Sequence, residues 1–410
     1  MKQAALLPLL LALAAPAAAG DLSLKGFFKT YLYSLEPAQV RDHPAAQPDG
    51  PYAVSENKLR LKTYWDGGAA LKAEAAYELV LSARPEELAA ARPLAGGYGY
   101  RVSDPSPILS PSAGGERRSA ALIQNLDRLF VTWSPAAFDL YAGRQALAFG
   151  SGRAANPTDV LAPYPYGTID TEERRGVDAL RIKAPNGDLG EFDAGWLPGG
   201  DWSARNGAAF LRGRGRLLGS DLTLISAAFR GNLMAGADIE RNLGGAALRA
   251  EAARVWAGTF GGREPGEDFF RLTAGAEYNF SLLGGTGAWL EYHYNGAGAA
   301  RAADYPSRAA KTAYREANVY LLGREYLCAG AGAQLSPLVS AGASVLFNLG
   351  DRSFYALPSL EWNAAESLYI SAGALLPSGP RAAFDGVLAR PASEFGLYDR
   401  SLYASVRHYF

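Results

Sequence analysis

The stretch KLRLKTYW, residues 58–65, separates an apolar set and a basic set of side chains at alternate positions. Leu59 and Leu61 fall on one face of an extended chain, and Arg60 and Lys62 fall on the other. A strand keeps two such sets apart, whereas a helix would scatter each of them around its circumference. The stretch therefore predicts a β-strand with one apolar and one basic face.

The same period of two recurs along the chain, as in residues 70–81, 209–218 and 269–280. Runs of this length are long enough for a tilted strand to cross a bilayer. Tight turns such as Gly244-Gly245 alternate with long polar segments, which is typical of outer-membrane barrels with short periplasmic turns and long outer loops. The pattern predicts an all-β, transmembrane, antiparallel up-and-down β-barrel of about 18 strands, with about 16 as the alternative. The first strand is placed at 21–35 and the last at 398–410.

A soluble periplasmic β-protein is the competing interpretation. It would need continuous apolar strands for a second packed layer, but the alternation persists over the whole chain. Aromatic residues also fall near strand ends, where the interface belts of a barrel lie, at Trp65, Trp133, Trp196, Tyr278 and Phe280. Both observations favour the membrane barrel.

The first residues predict a targeting segment rather than part of the fold. Lys2 gives a basic start, residues 4–15 are apolar, and Ala17-Ala18-Ala19 satisfies the small-residue rule for cleavage. We therefore assign residues 1–19 to a signal peptide and residues 20–410 to the barrel.

Composition excludes several classes of function. The formal net charge is −1, which argues against a nucleic-acid partner. One cysteine and three histidines permit neither a disulfide framework nor a haem attachment motif, so we expect no cofactor and no metal site. No histidine has an evident Ser or Asp partner in the sequence, and we expect no catalytic residue and no enzyme activity. His293 is expected to be a solvated pore residue.

The final segment, SLYASVRHYF at 401–410, alternates up to a terminal aromatic residue. It resembles the C-terminal assembly signal of Gram-negative outer-membrane proteins, with Phe410 as the closing residue and His408 as a departure from the usual apolar position. From signal peptide to Phe410 the chain resembles porin-like outer-membrane β-barrels. That resemblance implies a multi-pass protein of the cell outer membrane, with membrane lipid and the barrel-assembly machinery as partners.

A turn-rich segment at about 150–175 follows the fifth strand and forms the third outer loop. In general porins, which the chain resembles in order and size, this loop folds inward and forms the constriction. The segment GRQ…FGSGRAANPTDVLAP also resembles a motif of large porin-like barrels. Loops of this length without their own secondary structure are usually functional. An outward surface loop is the alternative. The candidate constriction residues are Arg153, Asn156, Asp159, Asp170, Glu172 and Glu173.

The alternation also predicts which charges face the lumen. The inward cations are Lys25, Lys29, Lys58, Arg60, Lys62, Lys72, Arg212, Arg214, Arg216, Arg249 and Arg271. The inward anions are Glu56, Glu74, Glu78, Asp238, Glu240, Glu251, Glu277 and Glu291. Cations are in modest excess. Two basic ladders, at 58–62 on the second strand and 212–216 on the eighth, are expected to face the acidic part of the third loop and to select ions. Simple solvation of these charges is the alternative.

The leading functional hypothesis is a porin: a water-filled channel for passive diffusion of small hydrophilic solutes or ions, with a preference for anions. One alternative is a scaffold barrel of a trans-outer-membrane electron conduit that holds a multihaem cytochrome. Another is an exporter of an anionic polysaccharide, by resemblance to alginate exporters, although the mixed lumen charge argues against it. Gly213 and Gly215 on the lipid side suggest a homo-oligomer contact or, equally well, a bend in the strand.

Overall fold

The computed structural model describes residues 20–86, 88, 99–110, 112–113, 116–164, 166–261 and 267–410. The expected signal peptide, residues 1–19, lies outside the described residues. Eighteen strands form one sheet, in which each strand pairs antiparallel with the next and the last pairs with the first. The predicted barrel and its strand number are therefore confirmed. The strands are β1 Asp21–Glu36, β2 Tyr52–Asp66, β3 Leu71–Ala83, β4 Ala120–Trp133, β5 Asp139–Ala146, β6 Gly176–Asn186, β7 Gly190–Leu197, β8 Ala208–Leu217, β9 Ser220–Phe229, β10 Asn232–Leu243, β11 Ala246–Trp256, β12 Phe269–Phe280, β13 Thr286–Asn295, β14 Glu325–Ser336, β15 Val339–Asn348, β16 Phe354–Ala365, β17 Leu368–Ser378 and β18 Arg400–Tyr409.

The barrel closes between β1 and β18. Their register sets Phe27 opposite Tyr409, and the terminal Phe410 exchanges two backbone hydrogen bonds with Gly26, of 2.7 and 3.0 Å. A Cβ atom on Gly26 would lie 2.6 Å from the Phe410 ring, which is far inside van der Waals contact. Glycine is therefore required where the last side chain covers the seam.

The barrel exposes apolar side chains on its outer face and buries charged side chains on its inner face, which is the reverse of a soluble protein. Outward positions expose large apolar side chains such as Leu24 (65% exposed), and the aromatic residues Trp133, Trp196 and Tyr278 are exposed among them. Inward positions bury charge, as at Arg60 (1% exposed). This arrangement suits a hydrocarbon exterior and a polar interior. None of the helices among the described residues is both long enough and apolar enough to span a bilayer.

A β-bulge in β4 changes which side chains face inward. Ala76 pairs with Arg128 and Tyr77 pairs with Leu126, so Asp127 is an extra residue without a partner on β3. Consecutive Asp127 and Arg128 are consequently both buried. Bulges redirect side chains in this way and are common near functional sites.

Strand β5 has eight residues, and its short length leaves the outer half of β4 without a neighbour on that side. The second outer loop fills the gap. Ile108 and Leu109 bond to Leu122 of β4, and the Tyr100 carbonyl accepts from the backbone N–H of Asp178 on β6. The loop thus completes the wall where β5 has ended.

Besides the second outer loop, three outer loops are long and are named by their residues: loop 3 (147–175), loop 7 (296–324) and loop 9 (379–399). Loop 7 was expected to end near 311, but it continues through the helices α1 Tyr305–Ala309 and α2 Thr312–Glu316. The run from 312 to 316 consists mainly of helix-forming residues and lacks the period of two, which accounts for the difference. Loop 9 contains a small hairpin of Ala383–Phe384 with Ala389–Arg390.

The packed core lies inside the barrel rather than between layers. Loop 3 contributes Leu147, Phe149, Val160 and Leu161 to a buried apolar cluster with inward side chains of β6 to β12 and with loop 7. A second cluster joins loops 7 and 9 to inward residues of β14 to β16, including Cys328. These clusters hold the loops within the barrel outline, because apolar side chains gain free energy on leaving water.

Candidate functional site: a lumen crossed by loop 3

The first half of loop 3 is held by carboxylates on β11 and β13. Glu251 accepts hydrogen bonds from the backbone N–H and the hydroxyl of Thr158, at 2.6 and 2.7 Å. Glu291 accepts from the backbone N–H groups of Arg153 and Ala154, at 2.7 and 3.0 Å. These inward acids therefore satisfy the backbone of a loop that has no regular secondary structure of its own in this half.

The side chain of Arg153 also reaches this acidic wall. Its guanidinium bonds to Glu277 on β12, and Glu277 additionally pairs with Arg249 on β11 at 2.7 Å. Asn156, another candidate from the sequence, has a buried side-chain oxygen without a hydrogen-bond partner among the described residues.

The second half of loop 3 carries acids that meet the opposite, basic wall. Asp170 bridges Lys29 on β1 and Lys58 on β2, with both distances 2.8 Å. Glu172 lies 2.6 Å from Lys29, and Glu173 pairs with Lys62. The basic ladder of β2 and the acidic part of loop 3, both identified from the sequence, are in direct contact.

These contacts set the protonation of the loop acids. Burial by itself would raise the pKa of Asp170, but Lys58 and Lys29 hold that pKa below its ordinary value. The pKa of Glu172 is likewise lowered, because hydrogen bonds from Lys29 and Tyr409 outweigh the effect of burial. Both carboxyls are therefore ionised at neutral pH while loop 3 keeps these contacts with the wall.

Arg60 joins the C-terminal end of loop 3 to the barrel wall. Its guanidinium lies 2.6 Å from Glu78, 2.8 Å from the bulge residue Asp127 and 3.3 Å from Glu173. Asp127 also accepts the backbone N–H of Gly176, where β6 begins, at 2.9 Å. Sequence reasoning missed Asp127, because strict alternation assigns only one of two consecutive residues to the lumen.

The ladder of β8 has different partners from those expected. Arg212 lies 3.8 Å from Asp193 on β7, and Arg214 lies 4.0 Å from Asp221 on β9. Arg216 has no carboxylate within ion-pair distance among the described residues. The expectation that this ladder faces the acids of loop 3 is wrong, because those acids lie on the opposite, β1–β2 side of the lumen.

A cavity of about 420 Å³ lies between loop 3, loop 7 and the inner wall. Arg153, Arg174 and Arg271 line it, and its described lining contains no aspartate or glutamate. The Arg271 Nε is buried without a hydrogen-bond partner among the described residues. The remaining lining is aromatic, apolar or neutral and polar, including Tyr164, Tyr166, Tyr320, Leu321, Leu357, Ser344 and Asn318. Arg153 and Arg174 are paired with Glu277 and Asp159. Arg271, which has no ion-pair partner among the described residues, is therefore the cation that this cavity leaves without a carboxylate.

Two residues near this cavity differ from what the sequence led us to expect. His293 was expected to be solvated, but it is 1% exposed and bonded to Thr273 at 2.9 Å, since loop 3 covers it. Asp159 was expected to contribute charge to the constriction, but it is 1% exposed and paired with Arg174. Burial raises the pKa of Asp159 despite that arginine. No feature of the sequence predicted that loop 7 would line this cavity.

No protein-family model matches the chain, and no curated protein matches it. Solved structures match over nearly the whole length. Pseudomonas aeruginosa OccD3 (OpdP) is 12% identical with a TM-score of 0.55, over 96% of this chain and 93% of that one. Pseudomonas aeruginosa OpdK, solved with vanillate, is 10% identical with a TM-score of 0.55, over 95% and 98%. Acinetobacter baumannii OccAB1 is 11% identical with a TM-score of 0.51, over 96% and 98%.

At this level of identity the likeness shows the fold alone. The chain has the closed, eighteen-stranded architecture of outer-membrane porins. The resemblance predicted from the alternation and the terminal Phe410 is therefore confirmed as a resemblance of fold.

Proposed function

We propose that the protein is an outer-membrane porin, in which a polar path past loop 3 lets small hydrophilic solutes diffuse passively, with a preference for anions. The observation that carries this proposal is the position of loop 3 between an acidic wall and a basic wall, held by Glu251 and Glu291 on one side and by Lys29 and Lys58 on the other. A loop bound at both sides is a rigid constriction rather than a freely moving flap.

The preference for anions is supported by the distribution of paired charges. Most inward acids bond to loop 3 or to neighbouring arginines, and Arg153 and Arg174 are themselves paired. Arg271, by contrast, has no ion-pair partner among the described residues and faces a cavity without a carboxylate in its described lining. Charges along a narrow path select ions by sign. OpdK was solved with vanillate, and an aromatic carboxylate is accordingly a useful first probe for this cavity, which also contains tyrosine side chains.

The scaffold alternative receives less support. Loops 3, 7 and 9 pack with inward side chains in two apolar clusters and thereby occupy space that an enclosed cytochrome would need. The exporter alternative would need a wide, uniformly basic path, but the lumen wall carries Glu251, Glu277 and Glu291 beside its arginines.

The test is single-channel recording of purified, refolded protein in a planar bilayer with a salt gradient. We expect stable open steps and a reversal potential that favours chloride. The variant Arg271→Gln should move that potential toward zero, because Arg271 is the lining arginine without an ion-pair partner among the described residues. Arg254→Gln is a matched control on the outer surface, where Arg254 is exposed and pairs with Asp268. A folded barrel without conductance would contradict the channel, and a cation-favouring potential would contradict only the preference for anions.

A further inference from the structure

Glu394 of loop 9 is a buried carboxyl that nothing in the channel proposal uses. It is 0% exposed. It accepts hydrogen bonds from the backbone N–H groups of Leu322 and Gly323 in loop 7, at 2.8 and 3.2 Å. It also accepts from the hydroxyl of Tyr326 and, at 2.8 Å, from the side-chain amide of Asn348. One side chain therefore joins loop 9, loop 7, β14 and β15.

No lysine or arginine is among the described hydrogen-bond partners of Glu394. The titratable groups that face it are Tyr305 and Tyr314 from loop 7, Tyr326 from β14, Tyr398 from its own loop, and Asp351 from the β15–β16 connection. Asp351 accepts the backbone N–H of Glu394 and the hydroxyl of Tyr305, both at 2.7 Å. The site is thus polar and closed, and the described hydrogen bonds bring Glu394 next to a second carboxylate, Asp351, rather than to a cation.

The segment bonded by Glu394 continues directly into the cavity wall. Residues 318–321, which precede Leu322, line the cavity between loops 3 and 7. Within that segment, the side-chain amide of Asn318 donates to the carbonyl groups of Val160 and Leu161 in loop 3, at 2.9 and 3.2 Å. A displacement at Glu394 would therefore be transmitted through four residues of loop 7 to the lining and to loop 3.

We propose that Glu394 is a positioning residue for the constriction: in its protonated form it holds loop 7 against loop 3, and its ionisation loosens that contact and makes the channel fluctuate. This inference rests on the proposed channel function. Loop 9, which contributes no residue to the described lining of the cavity, would thereby control the position of loops 3 and 7, which line the cavity.

The direction of the pH dependence follows from burial. Burial raises the pKa of Glu394 to about 7, above its ordinary value of 4.5. A carboxyl whose pKa is raised in the closed form favours that form when protonated, so the closed form is fully stabilised below the ordinary pKa. It loses stability as pH rises toward the raised value, by about tenfold in the closed-to-open ratio per pH unit, and the loss levels off above it.

The experiment records spontaneous current fluctuations of single channels from pH 5 to pH 8.5 for wild type, E394Q and E267Q. The amide of E394Q imitates the neutral carboxyl, and we expect this variant to be equally quiet at every pH. Wild type should become noisier as pH rises toward neutrality. Glu267 is an exposed carboxylate that binds Arg308 and Lys311 on loop 7, and E267Q should keep the wild-type profile.

A second variant separates positioning from a general loss of structure. E394A should fluctuate at all pH values while the barrel still shows its heat-dependent mobility shift on gels. Identical pH profiles for wild type and E394Q, or an E394A channel as quiet as wild type, would overturn the inference while leaving the channel in place. Absence of any current from wild type would instead contradict the proposed function.

Discussion

Two basic ladders with nearly the same sequence pattern have different surroundings in the barrel. On β2, Lys58, Arg60 and Lys62 are each paired with carboxylates of loop 3. On β8, the carboxylate partners of Arg212 and Arg214 among the described residues lie on neighbouring strands, at the longer distances of 3.8 and 4.0 Å. The comparison teaches that alternation tells which charges face inward, whereas the path of the loops decides which of them remain available to a solute.

The largest effect is expected at the centre of the β2 ladder. Arg60→Leu would leave Glu78 buried without its cation, although Asp127 keeps Arg101 and Arg128. Breaking a buried ion pair in this way typically costs about 3–5 kcal/mol. The temperature at which the folded band is lost on semi-native gels should fall markedly. Arg214→Leu on β8 is the matched control, since that side chain is 46% exposed. Equal losses in the two variants would remove the distinction between the ladders.

A smaller but more specific effect is expected when the acids of loop 3 lose their charge. Asp170→Asn removes the shared partner of Lys29 and Lys58, and a hydrogen bond to a charged group typically contributes about 1.5–3 kcal/mol. We expect a higher and noisier single-channel conductance with a stronger preference for anions, because the loop loosens and Lys58 loses its partner, while Lys29 keeps Glu172. The control Asp201→Asn lies in an outer loop, where the carboxylate bonds only to nearby loop residues. An unchanged current in Asp170→Asn would contradict the role of the loop.

The β8 ladder should affect selectivity without affecting stability. Replacing Arg212, Arg214 and Arg216 together with glutamine should shift the reversal potential toward cations by several millivolts, because these guanidinium groups line the lumen with few close partners. The folded band should keep its thermal stability, since the buried Asp193 next to Arg212 keeps its closer partner Arg181, at 2.6 Å. A reversal potential that stays at the wild-type value would show that solutes do not pass this wall.

Low pH should weaken the contacts between loop 3 and the basic wall, because it protonates the loop carboxyls. The pKa values of Asp170 and Glu172 are lowered, so their contribution is complete above the ordinary carboxyl range and is lost as pH falls through the lowered values. We expect the constriction to loosen only below about pH 4, with an increase in conductance that Asp170→Asn lacks. This acid response is opposite in direction to the loosening expected at Glu394 as pH rises toward neutrality, so the two can be separated in one titration.

The fold was accessible from the sequence because its signal is local. Alternation within single segments such as 58–65 and 269–280 sets the strands, and their number and the terminal Phe410 set the closed sheet. The long third loop and its acids were also visible. The bulge at Asp127 was not, because two consecutive inward residues contradict the very pattern that identifies a strand.

The sequence by itself determined an eighteen-stranded barrel, the inward charges that follow strict alternation and the loop that enters the candidate site, since a period of two requires only neighbouring residues. Only the tertiary structure decided which charges are neutralised. Lys29 meets Asp170 across 141 residues, and Glu394 meets Leu322 across 72. Such contacts depend on how loops pack inside the barrel. Burial and pairing then decide whether a charged side chain is bound in an ion pair, accessible to a solute or uncharged.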